Sequence, residues 1–232
     1  MLWRWLVVSL SVATLVGCAG GRQARHGETM RQRTLTRAAA YGLVEVPEVV
    51  PGILVDLRYG SANNFTGKAV YPPAMPCLLL ASTAAKVKRA QALLNSQGYG
   101  LKVLDAWRPP EVQEHLHAAS AQPDLFLDPT VGWSRHCGGV AVDATLVDHN
   151  GNEMPMPTAF DEAADAGSRD SSADDPATQR NVTILHHAMS AAGLIPLKEE
   201  WWHFDDSAHI RAPVPIVRAS HVGIVLSNPA WR

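Results

Sequence analysis

Residues 134–143 read Ser-Arg-His-Cys-Gly-Gly-Val-Ala-Val-Asp, and much farther along the chain comes Glu200-Trp201-Trp202-His203. In an extended segment Val140 and Val142 share one face and Ala141 and Asp143 the other. The valines can therefore pack inward and present the Asp143 carboxylate to a cleft. Gly138 and Gly139 permit a turn or a close backbone approach that brings His136 back beside it. An imidazole nitrogen and a carboxylate oxygen are both metal donors, and His203 is the natural third. A catalytic zinc keeps three protein ligands and leaves one position to water, and a nearby base must then take that water's proton and pass it to the leaving group. Glu200, just before His203, suits the task whether a bent strand or a turn carries it. His136 or His203 taken singly reads more simply as a hydrogen-bonded structural histidine. Their joint occurrence with Asp143 and Glu200 is what favours a metal.

These residues need elements to place them. Ser82-Thr83 can cap a helix through about Gln97, with Val87, Ala90, Leu93 and Leu94 on its apolar face and Gly98 past its end. Leu101 to Trp107 reads as a strand, stopped by Arg108-Pro109-Pro110, and the prolines suit the first turn of a helix over 109–120. Arg108 at that strand end can form a simple ion pair with Asp105. A third helix is expected over 181–193 and a last strand region over 197–204, with one of Trp201 and Trp202 in the core and the other walling the cleft. His115, His117, His186 and His187 read as helix-surface residues. Residues 165–181 form a polar interruption. Unequal helices and short strands without regular βαβ spacing predict an α+β single domain, a small, mostly antiparallel central sheet flanked by helices.

The chain has 232 residues, 47% hydrophobic and 18% charged, enough for one domain with a substantial core. A formal net charge of -2 without a dense basic run excludes nucleic acid as an expected partner. At the N-terminus, Arg4 precedes an apolar run from Trp5 to Val16, which suits a signal-peptide core better than a membrane span. Leu15-Val16-Gly17-Cys18 resembles the bacterial lipoprotein box, in which cleavage leaves a lipidated Cys18; the alternative is an ordinary signal peptide with an incidental cysteine. The expected organisation is a lipoprotein-type signal peptide over 1–18, a flexible tether over 19–40 and a catalytic domain over 41–232. The protein is thus expected to be exported and anchored to a membrane of the cell envelope through Cys18. Export permits disulfides, and Cys77 and Cys137 allow at most one; both are expected to stay free.

SRHCGGVAVD and EEWWHF resemble the SxHxxGxAxD and ExxH signatures of the zinc D-alanyl-D-alanine metallopeptidases. VDLRYGSANNFTGKAVY (55–71) and DAWRPPEVQ (105–113) are similar to segments of the dipeptidase branch, the vancomycin-resistance type. The resemblance implies one zinc per chain, held by His136, Asp143 and His203, with Glu200 as catalytic base. It implies that Arg108 stabilises the oxyanion, a role a permanently charged guanidinium with fixed donors suits. It further places Ser134 near the substrate and, through Phe160-Asp161, a carboxylate at the free ammonium of a small D,D-dipeptide. Cys137 stands where the family is expected to have serine, which implies sensitivity to oxidation. No obligate protein partner is expected. The alternatives are a D,D-carboxypeptidase acting on peptidoglycan stem peptides and a non-catalytic zinc protein that binds the cell wall.

Overall fold

The computed structural model describes residues 30–122, 125–162 and 175–226, so the expected signal peptide, Cys18 and most of the polar interruption lie outside the described residues. Among the described residues seven strands form two sheets. β1 (Leu43–Glu45) and β3 (Leu78–Leu80) make a small antiparallel pair. The central sheet contains β2 (Leu54–Val55), β4 (Gly100–Asp105), β5 (Ala141–Val147), β7 (His203–Asp206) and β6 (Leu194–Pro196), in that spatial order. Among the described residues only the β2–β4 pair is parallel, in line with the expected mostly antiparallel sheet.

Alternation along β5 divides the molecule. Val142, Ala144 and Leu146, with Leu101 and Val103 opposite them on β4, share one core with Val87, Ala90 and Leu94 of helix α3 (Ala81–Asn95) and Leu185, Ala188 and Met189 of helix α5 (Pro176–Ala191). Burying a leucine of this kind stabilises by about 1.5–3 kcal/mol, so the strand carrying Asp143 is held firmly from behind. Asp143 itself lies on the opposite face.

A β-bulge then completes the row of functional groups. Val103 pairs with Ala144 but Asp105 pairs with Asp143, so β4 spends two residues where β5 spends one. Plain alternation would leave Asp105 on the core side with Val103; the bulge re-aims it beside Asp143. His203 of β7 pairs with Asp143 from the other side. Asp105, Asp143 and His203 therefore stand in one row across three strands.

Several boundaries differ from the sequence expectation. Residues 30–39, expected within a flexible tether, form helix α1. Leu35 and Ala38 share one face of it and dock on a small apolar cluster with Leu43, Leu78, Trp107, Val217 and Val222, while Arg31 pairs with Glu45. The many arginines hid that face. Helix α2 (Val46–Val49) is a single turn. In α3 the first turn lacks a side-chain cap, and the Thr83 hydroxyl donates instead to Asp206 at 2.8 Å. Helix α4 (Pro110–Ala119) begins on a proline as expected. Helix α5 starts earlier than the apolar pattern, because the Asp175 carboxylate accepts from the amides of Ala177 and Thr178. Residues 199–202 are a bend and turn, with only His203–Asp206 in the strand, since the His203 amide closes back on the Glu200 carbonyl at 3.3 Å.

Candidate metal centre

Each candidate side chain is delivered by a different local device. His136 sits in a short 3₁₀ turn (Arg135–Gly138) that Ser134 caps, its hydroxyl accepting from the His136 amide at 3.4 Å. Gly139 ends the turn at φ +66°, and a Cβ there would lie 2.7 Å from Leu43 Cδ2. At Gly138 a Cβ would lie 2.4 Å from the Pro215 carbonyl oxygen. One glycine thus supplies the left-handed conformation and the other the close approach, which together return His136 to the sheet. The tight turn before β7 folds Glu200 over His203, with Glu200 Oε2 3.9 Å from His203 Nδ1.

Three donor atoms face one point. His203 Nδ1 lies 3.0 Å from Asp143 Oδ1, His136 Nε2 lies 3.2 Å from the same oxygen, and the two nitrogens are 3.1 Å apart. His136 has its Nδ1 against the Ala106 carbonyl at 2.7 Å, which requires that nitrogen to carry the proton. His203 has its Nε2 against Asp205 Oδ1 at 3.1 Å, which fixes its proton on the far side likewise. Both inner nitrogens therefore face one anionic oxygen. Without an ion, burial opposes charge on His203, but Asp143 and Asp205 outweigh it and raise its pKa well above the usual imidazole value, so a proton can occupy the contact. A metal ion is the cation that can replace that proton and accept a lone pair from all three atoms at once. Ligand bonds of about 2.0–2.1 Å in a tetrahedron space donors about 3.3 Å apart, so the triangle fits zinc.

Around that triangle the charges are arranged with care for proton chemistry. Arg108 is buried, and its Nε donates to Asp105 Oδ2 at 2.8 Å while Nη1 donates to Gln113 Oε1 at 2.8 Å. Its guanidinium carbon lies 5.1 Å from the Tyr59 ring centre and 5.4 Å from that of Phe126. Burial opposes its charge, and Asp105, Tyr59, Tyr71 and Asp143 together more than restore it, so Arg108 stays a cation. Asp105 also accepts from the Tyr71 hydroxyl at 2.6 Å. The ion pair and the place beside Asp143 (Nη2 to Oδ2, 3.7 Å) coexist. Burial raises the Glu200 carboxyl above its ordinary range, with His203 opposing and Asp143 adding to the rise. A base with that environment holds a proton more readily than a solvated glutamate.

Asp161 is 4% exposed and adopts φ +63°, unusual for a residue other than glycine. Its Oδ1 accepts from the Tyr59 hydroxyl at 2.9 Å, and its Oδ2 is buried with no partner among the described residues. Burial pushes its carboxyl well above the usual carboxylate value, and Arg108 offsets this only in part. Asp161, Ser134, Glu200, Arg108 and the three donors all line one cavity of about 320 Å³.

All the candidate residues within the described segments thus converge, and Cys18 lies outside them. The tryptophans differ from expectation. Both are buried, Trp202 lining this cavity and Trp201 a neighbouring one. His186 is not an idle surface residue either, since its Nε2 lies 2.8 Å from the Trp201 carbonyl and so braces the Glu200 turn. Cys77 and Cys137 are free, as expected. Burial pushes the Cys137 thiol up to about 12, so it stays protonated and the expected oxidation sensitivity is not favoured. The residues that sequence reading missed are supports: Tyr59, Tyr71, Gln113, Asp205 and Arg135. Only Asp205, in the short His-Phe-Asp run of a strand, left a local signal.

A buried two-histidine, one-carboxylate cluster with an adjoining glutamate and a fixed arginine is the kind of centre metallopeptidases use. The chain belongs to the M15 peptidase family, described as D-Ala-D-Ala dipeptidase, which matches residues 39–218. It is therefore a peptidase of a metallopeptidase family. It is similar to the D-alanyl-D-alanine dipeptidase of Escherichia coli K12, 35% identical over 163 residues, which is 70% of this chain and 83% of that protein. It is also similar to the D-alanyl-D-alanine dipeptidases of Enterococcus faecium (27% over 182 residues; 70% of this chain, 90% of that one) and Streptomyces coelicolor (28% over 178 residues; 68% and 88%).

Proposed function

We propose that the protein hydrolyses free D-Ala-D-Ala with one zinc held by His136, Asp143 and His203. The observation that carries this reading is the triangle of donor atoms at 3.0–3.2 Å, spaced as three ligands of one zinc are spaced. A zinc there supplies a Lewis acid that makes a water acidic near neutral pH and polarises a carbonyl oxygen. Glu200 takes the proton as the water oxygen attacks the scissile carbonyl carbon. Arg108 donates to the carbonyl oxygen as it becomes negative. Glu200 then hands the proton to the amide nitrogen, the C–N bond breaks, and two molecules of D-alanine leave. Asp161 holds the substrate's ammonium on its unpartnered oxygen, and Ser134 lies beside the substrate. The unpartnered carboxylate favours a free dipeptide over a stem peptide, whose corresponding nitrogen is acylated and carries no charge.

Metal analysis of the purified protein, with assays on D-Ala-D-Ala, L-Ala-L-Ala and N-acetyl-D-Ala-D-Ala, tests the reading. One zinc per chain and cleavage of the free D,D-dipeptide alone support it. Equal turnover of the N-blocked substrate transfers the assignment to a D,D-carboxypeptidase. Bound zinc with no cleavage of any D,D-substrate leaves a wall-binding role.

Export and a lipid anchor at Cys18 complete the proposal, supported by the apolar run from Trp5 to Val16 and the Leu-Val-Gly-Cys sequence. Among the described residues no helix is long and apolar enough to cross a membrane. Cys18→Ala is expected to free the protein from the membrane fraction, and continued sedimentation with membranes counts against the anchor.

A further inference from the structure

We infer that Asp205 and Arg135 are positioning residues that lock His203 as an Nδ1 ligand and clasp together the two segments carrying the histidines. The inference rests on the metal reading above and adds residues to it.

Asp205 follows His203 by two positions on β7, so the strand sets both side chains on the same face. Its two oxygens are used for different partners. Oδ1 lies 3.1 Å from His203 Nε2, and Oδ2 lies 3.3 Å from Arg135 Nε. Arg135 is anchored in turn, with Nη1 donating to the His209 carbonyl at 2.6 Å and Nη2 to the Ile210 carbonyl at 2.5 Å. Arg135 directly precedes His136 in the 3₁₀ turn. One ion pair therefore ties the backbone that carries the first histidine to the ring of the second.

The two histidines are supported differently. His136 donates to a neutral carbonyl, that of Ala106, and is 2% exposed, so packing already confines its ring. His203 lies at the cavity wall with a more exposed side chain and needs a stronger outer partner. A carboxylate accepting from Nε2 fixes the proton on that nitrogen, stops the ring from turning and makes Nδ1 a better donor. Arg135 holds the carboxylate in line while keeping its charge balanced. With three donors of its fork already engaged, Arg135 is committed to this scaffold although it lines the same cavity as the substrate-facing groups.

The test compares the wild-type full chain with Asp205→Ala, Asp205→Asn and Arg135→Met. Each is stripped of metal and melted, then titrated with zinc against a competing chelator, assayed for KM and kcat when loaded and, separately, loaded with cobalt(II) for absorption spectra. The zinc Kd is expected to rise about 10–100-fold in Asp205→Ala, and by less in Asp205→Asn, whose amide oxygen still accepts from Nε2. Arg135→Met is expected to weaken zinc modestly and to add little on top of Asp205→Ala, because the two act as one unit. The cobalt ligand-field bands are expected to shift in Asp205→Ala. An unchanged zinc Kd with unshifted bands in Asp205→Ala overturns the inference, and so does a rise confined to KM, which would assign the pair to the substrate. A loss of melting temperature in the metal-free protein with unaltered zinc affinity also overturns it, as the mark of a purely structural pair. If the Ala variant does not fold, Asp205→Asn, nearly identical in shape, gives the same readout. Failure of the wild type itself to take up zinc removes the metal reading, so the two failures are told apart by the wild-type titration alone.

Discussion

The Tyr59 hydroxyl donates to Asp161 Oδ1 at 2.9 Å, leaving Oδ2 of the same carboxylate buried and unmatched among the described residues. A charge held this way is costly in the empty protein and useful only when a cation arrives. The left-handed backbone of Asp161 adds to the cost, on the order of 1–3 kcal/mol for a residue with a Cβ. Strain and an unsatisfied acid at one residue are the mark of a position kept for binding rather than stability.

The first prediction follows from that relationship. The folded-state pKa of Asp161 is raised, chiefly by burial, so the folded protein binds its proton more readily than the unfolded chain. Stability therefore falls as pH rises from the unfolded pKa to the folded one, and the penalty stays in full above it. Asp161→Asn is expected to raise the melting temperature at neutral pH, by about 2–4 °C per kcal/mol recovered. The same change should lower kcat/KM for D-Ala-D-Ala by about tenfold or more, since a hydrogen bond to a charged group is lost. Thermal melts across pH and steady-state kinetics on the same variant check both halves, and a destabilised but fully active protein would refute them.

Glu200 carries the second. Burial raises its pKa, and a base works only when deprotonated. In the zinc-loaded enzyme the ion's charge opposes that rise, so the expected outcome is the direction alone: activity is lost on the acid limb of kcat/KM as the carboxylate takes up a proton. Glu200→Ala should keep zinc and lose about 10²–10⁴-fold in kcat, whereas His203→Ala should lose the metal. Metal content and pH–rate profiles of the two variants decide this, and an undiminished rate in Glu200→Ala defeats the base assignment.

Arg108 pairs with Asp105 and is proposed to meet the oxyanion, and its substitutions should separate the two purposes. Arg108→Ala leaves the Asp105 carboxylate buried without its cation, which costs about 3–5 kcal/mol of stability. Arg108→Lys keeps a charge but cannot reach Asp105 and Gln113 with one planar fork, so kcat should still fall by about 10²–10³-fold. Denaturant titration alongside kcat measurement reads both effects. A lysine variant with wild-type kcat would show that the guanidinium is not needed at the oxyanion.

At Gly139 the backbone is left-handed, and a Cβ would press on Leu43 Cδ2 and on the Leu80 amide at 3.0 Å. Gly139→Ala should cost about 1–2 kcal/mol from the backbone conformation alone, with the contacts adding to it. Because the turn also aims His136, zinc affinity should weaken with it. Equal stability and equal zinc binding in the variant would remove the glycine from the account.

The donors were legible because residue type carries ligand chemistry and strand alternation carries orientation. Val140 and Val142 pointing inward left Asp143 only one way to face. The supports were not legible for the opposite reason. Tyr59 and Tyr71 read as ordinary aromatic residues until the fold brings the first to Asp161 and the second to Asp105. Gln113 reads as a surface residue of α4 until Arg108 is seen against it. The bulge between Val103 and Asp105 has no local mark, since it depends on how β4 meets β5. In α1 the apolar face is only Leu35 and Ala38, too little periodicity to stand out among arginines.

By itself, then, the sequence determined the donor and acid–base chemistry on offer: the imidazoles of His136 and His203, the carboxylates of Asp143 and Glu200 and the guanidinium of Arg108 have those chemistries wherever they lie. It also determined the short-range geometry, because φ at glycine and period-two alternation act within a few residues. Only the tertiary structure decided that the donors meet at 3.0–3.2 Å, that Asp105 turns to the same face, and that Asp161 keeps one oxygen without a partner among the described residues. Those relationships depend on strand register and desolvation, which arise when distant segments pack and have no meaning for an isolated stretch of chain.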